Sequence, residues 1–168
     1  MTPAGVRPGV RVGVDVGQAR VGVAASDPSG TFAHPVETLP RDLDGDTDVA
    51  TLATLVADLG AVEVVVGLPR LLSGQEGEAA RLARAYAALL AVRLGTVPVR
   101  LVDERLTTVD AHRRLRDSGV PGRGQRSVVD QAAAVLILQS ALDTESAQGR
   151  PPGETVSPTG RRKKERRR

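Results

Sequence analysis

The run Gly9-Val10-Arg11-Val12-Gly13-Val14-Asp15-Val16-Gly17 constrains this chain more than any other stretch. Its valines alternate with Arg11, Gly13, Asp15 and Gly17, the two-residue period of a β-strand with one apolar face. Gly17 to Arg20 can turn the chain, and Val21, Val23 and Ala25 resume the alternation, so the segment predicts a β-hairpin. Asp15 then lies near the end of the first strand, opposite the valines, with glycines beside it and Gly22 a counterpart on the second strand. Glycine in a strand forgoes packing and marks close approach by a ligand or another backbone. A carboxylate on so bare a face suits a docking place. By itself it is equally an ordinary acid next to a turn.

At 168 residues the expectation is one domain with a sizeable core. With one Phe, one Tyr and no Trp, that core has to come from Val, Leu and Ala, and aromatic platforms for stacking bases are missing. The absence of cysteine excludes disulfides, thiolate metal sites and a Cys nucleophile. His34 and His112 are too few for a His-rich zinc centre. No apolar run approaches the roughly 18 residues of a membrane span, and the N-terminus lacks a signal-peptide core; the cytoplasm is the expected location, with no membrane partner. The net charge of +3 is uneven: from Thr144 onward eight basic residues face three acidic ones, so the high isoelectric point belongs to that end.

In chain order, residues 1–8 read as a loose leader containing Pro3 and Pro8, and 9–143 as the folded domain. After the hairpin, Thr31–Leu39 predicts a third strand whose Pro35 suits a sheet edge. The acidic loop Asp42–Asp48 offers Asp46 or Thr47 as a helix cap. A helix over Ala50–Leu59 stopped by Gly60, a buried strand over Val62–Val66 and a loop over Gly67–Gly77 follow. Then come a long helix over Glu78–Leu94, a fifth strand over Val97–Val102 and a helix over Thr107–Asp117. A Gly/Arg-rich loop over Ser118–Arg126 leads to a last apolar helix over Ser127–Leu142. Residues 144–168, rich in Gly, Pro, Thr and Arg, predict a disordered basic tail. Three meandering strands followed by alternating helices and strands predict an α/β protein with a mixed sheet, three strands antiparallel and two parallel, flanked by helices.

Acids recur at three places far apart: Asp15, Asp103-Glu104 where the fifth strand ends, and Asp130 in the first turn of the last helix. Ala134 and Ile137 share a face with Asp130, so a bare carboxylate there is costly and a bound cation is one way to offset the cost. Each has a plainer explanation. Ser127-Val128-Val129-Asp130 also fits a capping box, as Thr107-Thr108-Val109-Asp110 does, and Asp103 or Glu104 can pair with Arg100 or Arg105. Together, without thiolates and with few imidazoles, hard oxygen donors suit magnesium or manganese. Carboxylates from separate elements can hold two such ions about 4 Å apart for phosphodiester hydrolysis.

Four segments occur in a telling order: Val14-Asp15-Val16-Gly17-Gln18-Ala19-Arg20-Val21-Gly22-Val23-Ala24; Val66-Gly67-Leu68-Pro69 with Gly74 and Gly77; Asp103-Glu104-Arg105-Leu106-Thr107-Thr108; and Asp130-Gln131-Ala132-Ala133-Ala134. Together they resemble the YqgF/RuvX family, the Holliday-junction resolvases also described as pre-16S ribosomal RNA nucleases, over about Val10 to Leu142. The resemblance implies an RNase H-like fold and a two-metal magnesium or manganese nuclease with Asp15, Glu104 and Asp130 as catalytic and metal-binding residues. It favours Glu104 over Asp103, because related resolvases place a Glu at the end of this strand; strand parity leaves that choice open. Substrate contacts are expected from Gly67 and Arg70 in the loop before a helix N-terminus, and from Arg20, Arg105, Arg123 and Arg126. The implied partner is structured nucleic acid, ribosomal RNA precursor ahead of branched DNA, with ribosomal particles as a further partner and a monomer or homodimer as the assembly. Two other classes compete. One is a non-catalytic RNA- or ribosome-binding protein using the Arg-rich tail. The other is a kinase or ATPase, since Asp15-Val16-Gly17 is similar to the first phosphate motif of sugar kinases; no second Asp-Gly-Gly segment accompanies it.

Overall fold

The computed structural model describes residues 7–104 and 123–157. Strands β1 (Arg11–Val16), β2 (Arg20–Ser26) and β3 (Ala33–Pro40) are followed by helix α1 (Thr47–Asp58), β4 (Glu63–Leu68), α2 (Glu78–Leu94) and β5 (Val99–Asp103). Helix α3 (Arg123–Gln148) and the short β6 (Glu154–Thr155) complete the described chain. The sheet order is β3-β2-β1-β4-β5-β6. The first three strands are antiparallel, β4 is parallel to β1, β5 is parallel to β4, and β6 runs antiparallel to β5. The expected mixed sheet is therefore present, with one more strand.

Alternation of side chains divides the sheet into two faces. Val12, Val14 and Val16 of β1, Val21 and Val23 of β2, and Val64, Val66 and Leu68 of β4 pack with Leu52, Val56, Tyr86 and Leu90 of α1 and α2. Each fully buried valine or leucine contributes about 1.5–3 kcal/mol, so this aliphatic layer carries most of the stability. On the other face, Ala24 and Val65 meet Ala134, Ile137, Leu138, Ala141 and Leu142 of α3. That face is built in rows. Arg11 pairs with Glu63; Gly13 pairs with both Ala24 and Val65; Asp15 pairs with Gly22. The middle row has almost no side chains, and a Cβ on Gly13 would lie 2.6 Å from Leu138 Cβ and 2.9 Å from the Ala134 carbonyl. The helix rests on strand backbone.

The bottom row is polar and buried. Arg11 is 1% exposed; its Nη1 donates to the Gly9 carbonyl at 2.9 Å and its Nη2 to Glu145 Oε2 at 3.3 Å. Arg7 bridges Glu145 at 2.5 Å and Glu63 at 3.0 Å, and the Ser26 hydroxyl accepts from the Arg11 amide. The segment from Thr144, expected as a disordered tail, instead continues α3 through Gln148, with Glu145 buried. Beyond it, Arg100 donates to the carbonyls of Pro152 (2.9 Å) and Gly153 (3.0 Å) and to Thr155 Oγ1 (2.9 Å), laying residues 152–155 along the β5 edge. Residues 158–168 lie outside the described part.

Other boundaries shift for local reasons. Proline-bearing β3 is an edge strand as expected, with a register break opposite Val23/Ala24 that accommodates Pro35. Helix α1 starts at Thr47 with Asp46 at its N-cap, yet Asp46 has left-handed φ of 52° and makes no side-chain cap. Asp42 serves instead: its carboxylate accepts from the Thr47 hydroxyl (2.7 Å) and from the Thr47 and Gly45 amides. These bonds, the Thr47 hydroxyl first, hold the Asp42 carboxyl at about 2. Gly67 and Leu68 belong to β4 rather than to the following loop. The helix and loop expected over 107–122 lie outside the described residues.

Glu145→Ala leaves Arg11 buried without its carboxylate and is expected to cost about 3–5 kcal/mol in urea unfolding, the range for breaking a buried pair. Because its folded pKa is depressed, Asp42 contributes stability fully present above its ordinary pKa near 3.8 and lost as pH falls through about 2. The urea midpoint of wild type should therefore fall more steeply between pH 4 and 2 than that of Asp42→Asn.

Candidate active site

The carboxyl-terminal ends of β1, β4 and β5 and the amino-terminal half of α3 converge on the top row of the sheet. Asp15 is 1% exposed on β1, facing α3, where the valine alternation places it. Its neighbour on β2 is Gly22, and Val14 pairs with Val66, which brings Gly67 of β4 level with it on the other side. Both glycines are occupied from above. A Cβ on Gly22 would collide with the Asp130 carbonyl oxygen and lie 3.2 Å from Asp130 Cβ. A Cβ on Gly67 would collide with Glu104 Oε1 and lie 2.6 Å from Ile137 Cδ1. Asp130 and Glu104 thus sit over the two strand positions flanking Asp15, and both are buried, at 3% and 2% exposure. Three acids from distant parts of the chain share one end of one face.

The alternation in β5 explains why Glu104, and not Asp103, turns inward. Val99 and Leu101 join the core under α1 and α2, whereas Val102 packs on the α3 side, so Glu104 follows Val102 to the face of Asp15. Asp103 has a half-open side chain and an ion pair with Arg70 Nε at 3.7 Å. Asp130 is not a helix cap. Helix α3 begins at Arg123, so Ser127 already lies inside it and Asp130 sits about two turns in. Asp130, Ala134, Ile137, Leu138, Ala141 and Glu145 recur at helical spacing along the buried stripe.

Of the expected substrate-contacting residues, Arg20 opens β2, and its Nε donates to Asp130 Oδ2 at 3.0 Å. Sequence reading left Arg20 as a free cation for phosphate and missed this pair; residues 110 positions apart give no local signal of meeting. Gly67 is a floor for Glu104 within β4. Arg70 lies in the loop after β4, where the Leu71 amide donates to the Gln75 carbonyl (2.9 Å) and the Gly74 amide to the Leu71 carbonyl (2.8 Å). Arg123 and Arg126 fall in the first turn of α3, not in the expected loop, and Arg105 lies outside the described residues.

The donor set is one that hard divalent cations prefer, carboxylates without thiolate or imidazole, and the bare glycine floor gives the acids room above the sheet. As placed, no three acidic or imidazole side chains among the described residues form a group able to hold a metal ion. Asp130 is engaged with Arg20. Among the described residues no helix is long and apolar enough to cross a membrane.

A sequence profile of the RuvX family, described as Holliday junction resolvase, matches residues 9–144. A Frankia casuarinae protein named "Putative pre-16S rRNA nuclease" is 60% identical over 142 residues, covering 84% of this chain and 70% of its own. One of the same name from Nocardioides sp. is 58% identical over 159 residues, covering 92% of this chain and all of its own. Among solved structures, Thermus thermophilus RuvC superposes with a TM-score of 0.52 at 13% identity, over 86% of this chain and 99% of its own. T. thermophilus RuvC in complex with Holliday junction substrate gives a TM-score of 0.50 at 15% identity, over 81% and 94%. At such identities the likeness speaks for architecture, and the architecture is RNase H-like.

Gly22→Ala drives a methyl group into the backbone of α3 above it and is expected to cost about 1–3 kcal/mol, as overpacking does. Gly77→Ala, with only Leu71 side-chain atoms at 3.8 Å or beyond, should cost far less. Parallel urea titrations of the two variants check the difference.

Proposed function

The chain belongs to the RuvX family, and from that premise we propose that it is a nuclease hydrolysing phosphodiester bonds in structured nucleic acid, acting on the precursor of 16S ribosomal RNA. The observation that supports this most is the gathering of Asp15, Glu104 and Asp130, all buried, on the α3-facing side at one end of the sheet, two of them seated on glycines. Carboxylates gathered without thiolate or imidazole are the donor set that hard divalent cations prefer, so the arrangement suits such an occupant. Asp15, Glu104 and Asp130 would hold magnesium or manganese, which supplies an activated water and stabilises the leaving oxygen.

The chain's own residues supply position. Asp15 is fixed by strand pairing on both sides, and Asp130 by a helix that rests on the sheet. Glu104 is held over Gly67 at the end of β5. Water is excluded from beneath them by Ile137 and the packed aliphatic side chains along α3. Arg70, on the loop beside Asp103, is a cation for the sugar–phosphate backbone of an approaching substrate, and Arg123 and Arg126 are proposed with it from their place in the sequence. Branched DNA is the second substrate class, favoured by the description of the matching family. Paired cuts across a junction call for a two-fold dimer, so the mass in solution separates the two readings.

Asp15→Asn, Glu104→Gln and Asp130→Asn should each abolish cleavage of a ribosomal RNA precursor while circular dichroism and thermal unfolding show the fold kept. Loss of more than a hundredfold in rate is expected for each, the scale of removing an essential charged group at a reacting centre. Cleavage retained in any two of the three overturns the assignment.

A further inference from the structure

Arg20 and Asp130 form an ion pair at the edge of the group of three buried acids. Its two members differ in freedom. Asp130 has a side chain only 4% exposed, on a backbone pressed against Gly22, and it cannot retreat without lifting α3 off the sheet. Arg20 is 31% exposed. Its own backbone is fixed, since its carbonyl accepts from the Gly17 amide at 2.9 Å and it pairs with Pro40 across the sheet, but the long side chain borders solvent and can swing outward. The acid is held; the guanidinium is the part that moves.

We propose that Arg20 is the resident counter-ion of Asp130, which a divalent cation has to displace before that carboxylate serves as a ligand. The proposal rests on the metal-dependent reading given above and adds to it a residue that governs loading of the site. A guanidinium and a divalent ion on the same carboxylate repel each other at a distance of a few ångströms, in surroundings where charges are poorly screened. They therefore exclude one another. Arg20 then has a place to go: once released, its guanidinium points to the solvent side of the site, where a substrate phosphate arrives, and arginine suits phosphate by its forked donors. Arg20 is thus a positioning residue for Asp130 before loading and a phosphate-binding cation afterwards.

The test is calorimetric titration of Mn2+ into the full chain, wild type against Arg20→Gln, Arg20→Lys and the same Arg20→Gln change in an Asp130→Asn background. With the competing cation gone, Arg20→Gln should bind Mn2+ about tenfold more tightly. Arg20→Lys keeps the charge and should stay close to wild type, and the gain should vanish when residue 130 is Asn. In parallel, the Arg20 Nε–H resonance of wild type should lose its protection from exchange as Mg2+ saturates the protein. Equal or weaker Mn2+ binding by Arg20→Gln, or an Nε–H that stays protected at saturation, overturns the proposal. Failure of every variant to bind Mn2+ removes both this proposal and the metal-dependent reading. Displacement of Arg20 without any nucleic-acid cleavage upholds the proposal while removing the nuclease.

Discussion

The structure depends on how closely one helix can approach one sheet. Helix α3 lies against Gly13, Gly22 and Gly67, and a single methyl group at any of these would strike it or the acid above. Such contact is possible only where strands give up their side chains, and the loss has to be made good elsewhere. It is made good on the opposite face, where valines from β1, β2 and β4 pack densely under α1 and α2. The two faces of the sheet therefore divide the work: one supplies cohesion, the other a close-fitting bed that fixes the height of α3, and with it the position of Asp130.

The helix is also tied at both ends by charge. Toward its C-terminal end Glu145 meets Arg11, both almost closed to water, with the half-exposed Arg7 outside them; nearer its start Asp130 meets Arg20, which borders solvent. Pairs of similar geometry thus have different consequences. The enclosed one locks register, because neither partner can be hydrated if it opens. The half-open one can exchange its partner, because the arginine it releases returns to water at little cost. Rigidity at one end and exchangeability at the other place the adaptable part of α3 beside the acids.

Much of this was legible in the sequence because it is local. The valine alternation placed Asp15 on the correct face, helix α2 lies over Glu78–Leu94 as its composition indicated, and Pro35 marked an edge strand. The spacing of Ala134 and Ile137 put Asp130 on an apolar face, although its capping pattern spoke for a helix start, and the side chain is buried. What was hidden is what packing decides. Gly122-Arg123-Gly124-Gln125-Arg126-Ser127 has the composition of a loop, and Ser127 with Asp130 imitates a helix start, yet the helix begins at Arg123. Strand β6 was invisible for a different cause: Glu154 and Thr155 sit among Pro and Gly, with no hydrophobic pattern, and join the sheet through backbone bonds and the reach of Arg100.

That small strand bears on how copies of the chain can meet. Its two residues follow Pro151, Pro152 and Gly153, and they cover the outer margin of β5. At the far margin β3 carries Pro35 and Pro40, which have no amide hydrogen to offer, and a break in register. Among the described residues, neither border presents a long, regular row of donors and acceptors. Growth of the sheet from one molecule into the next is disfavoured at both of these rims, which leaves side chains on helices and loops, where shape and charge can discriminate between partners, as the better surface for contact.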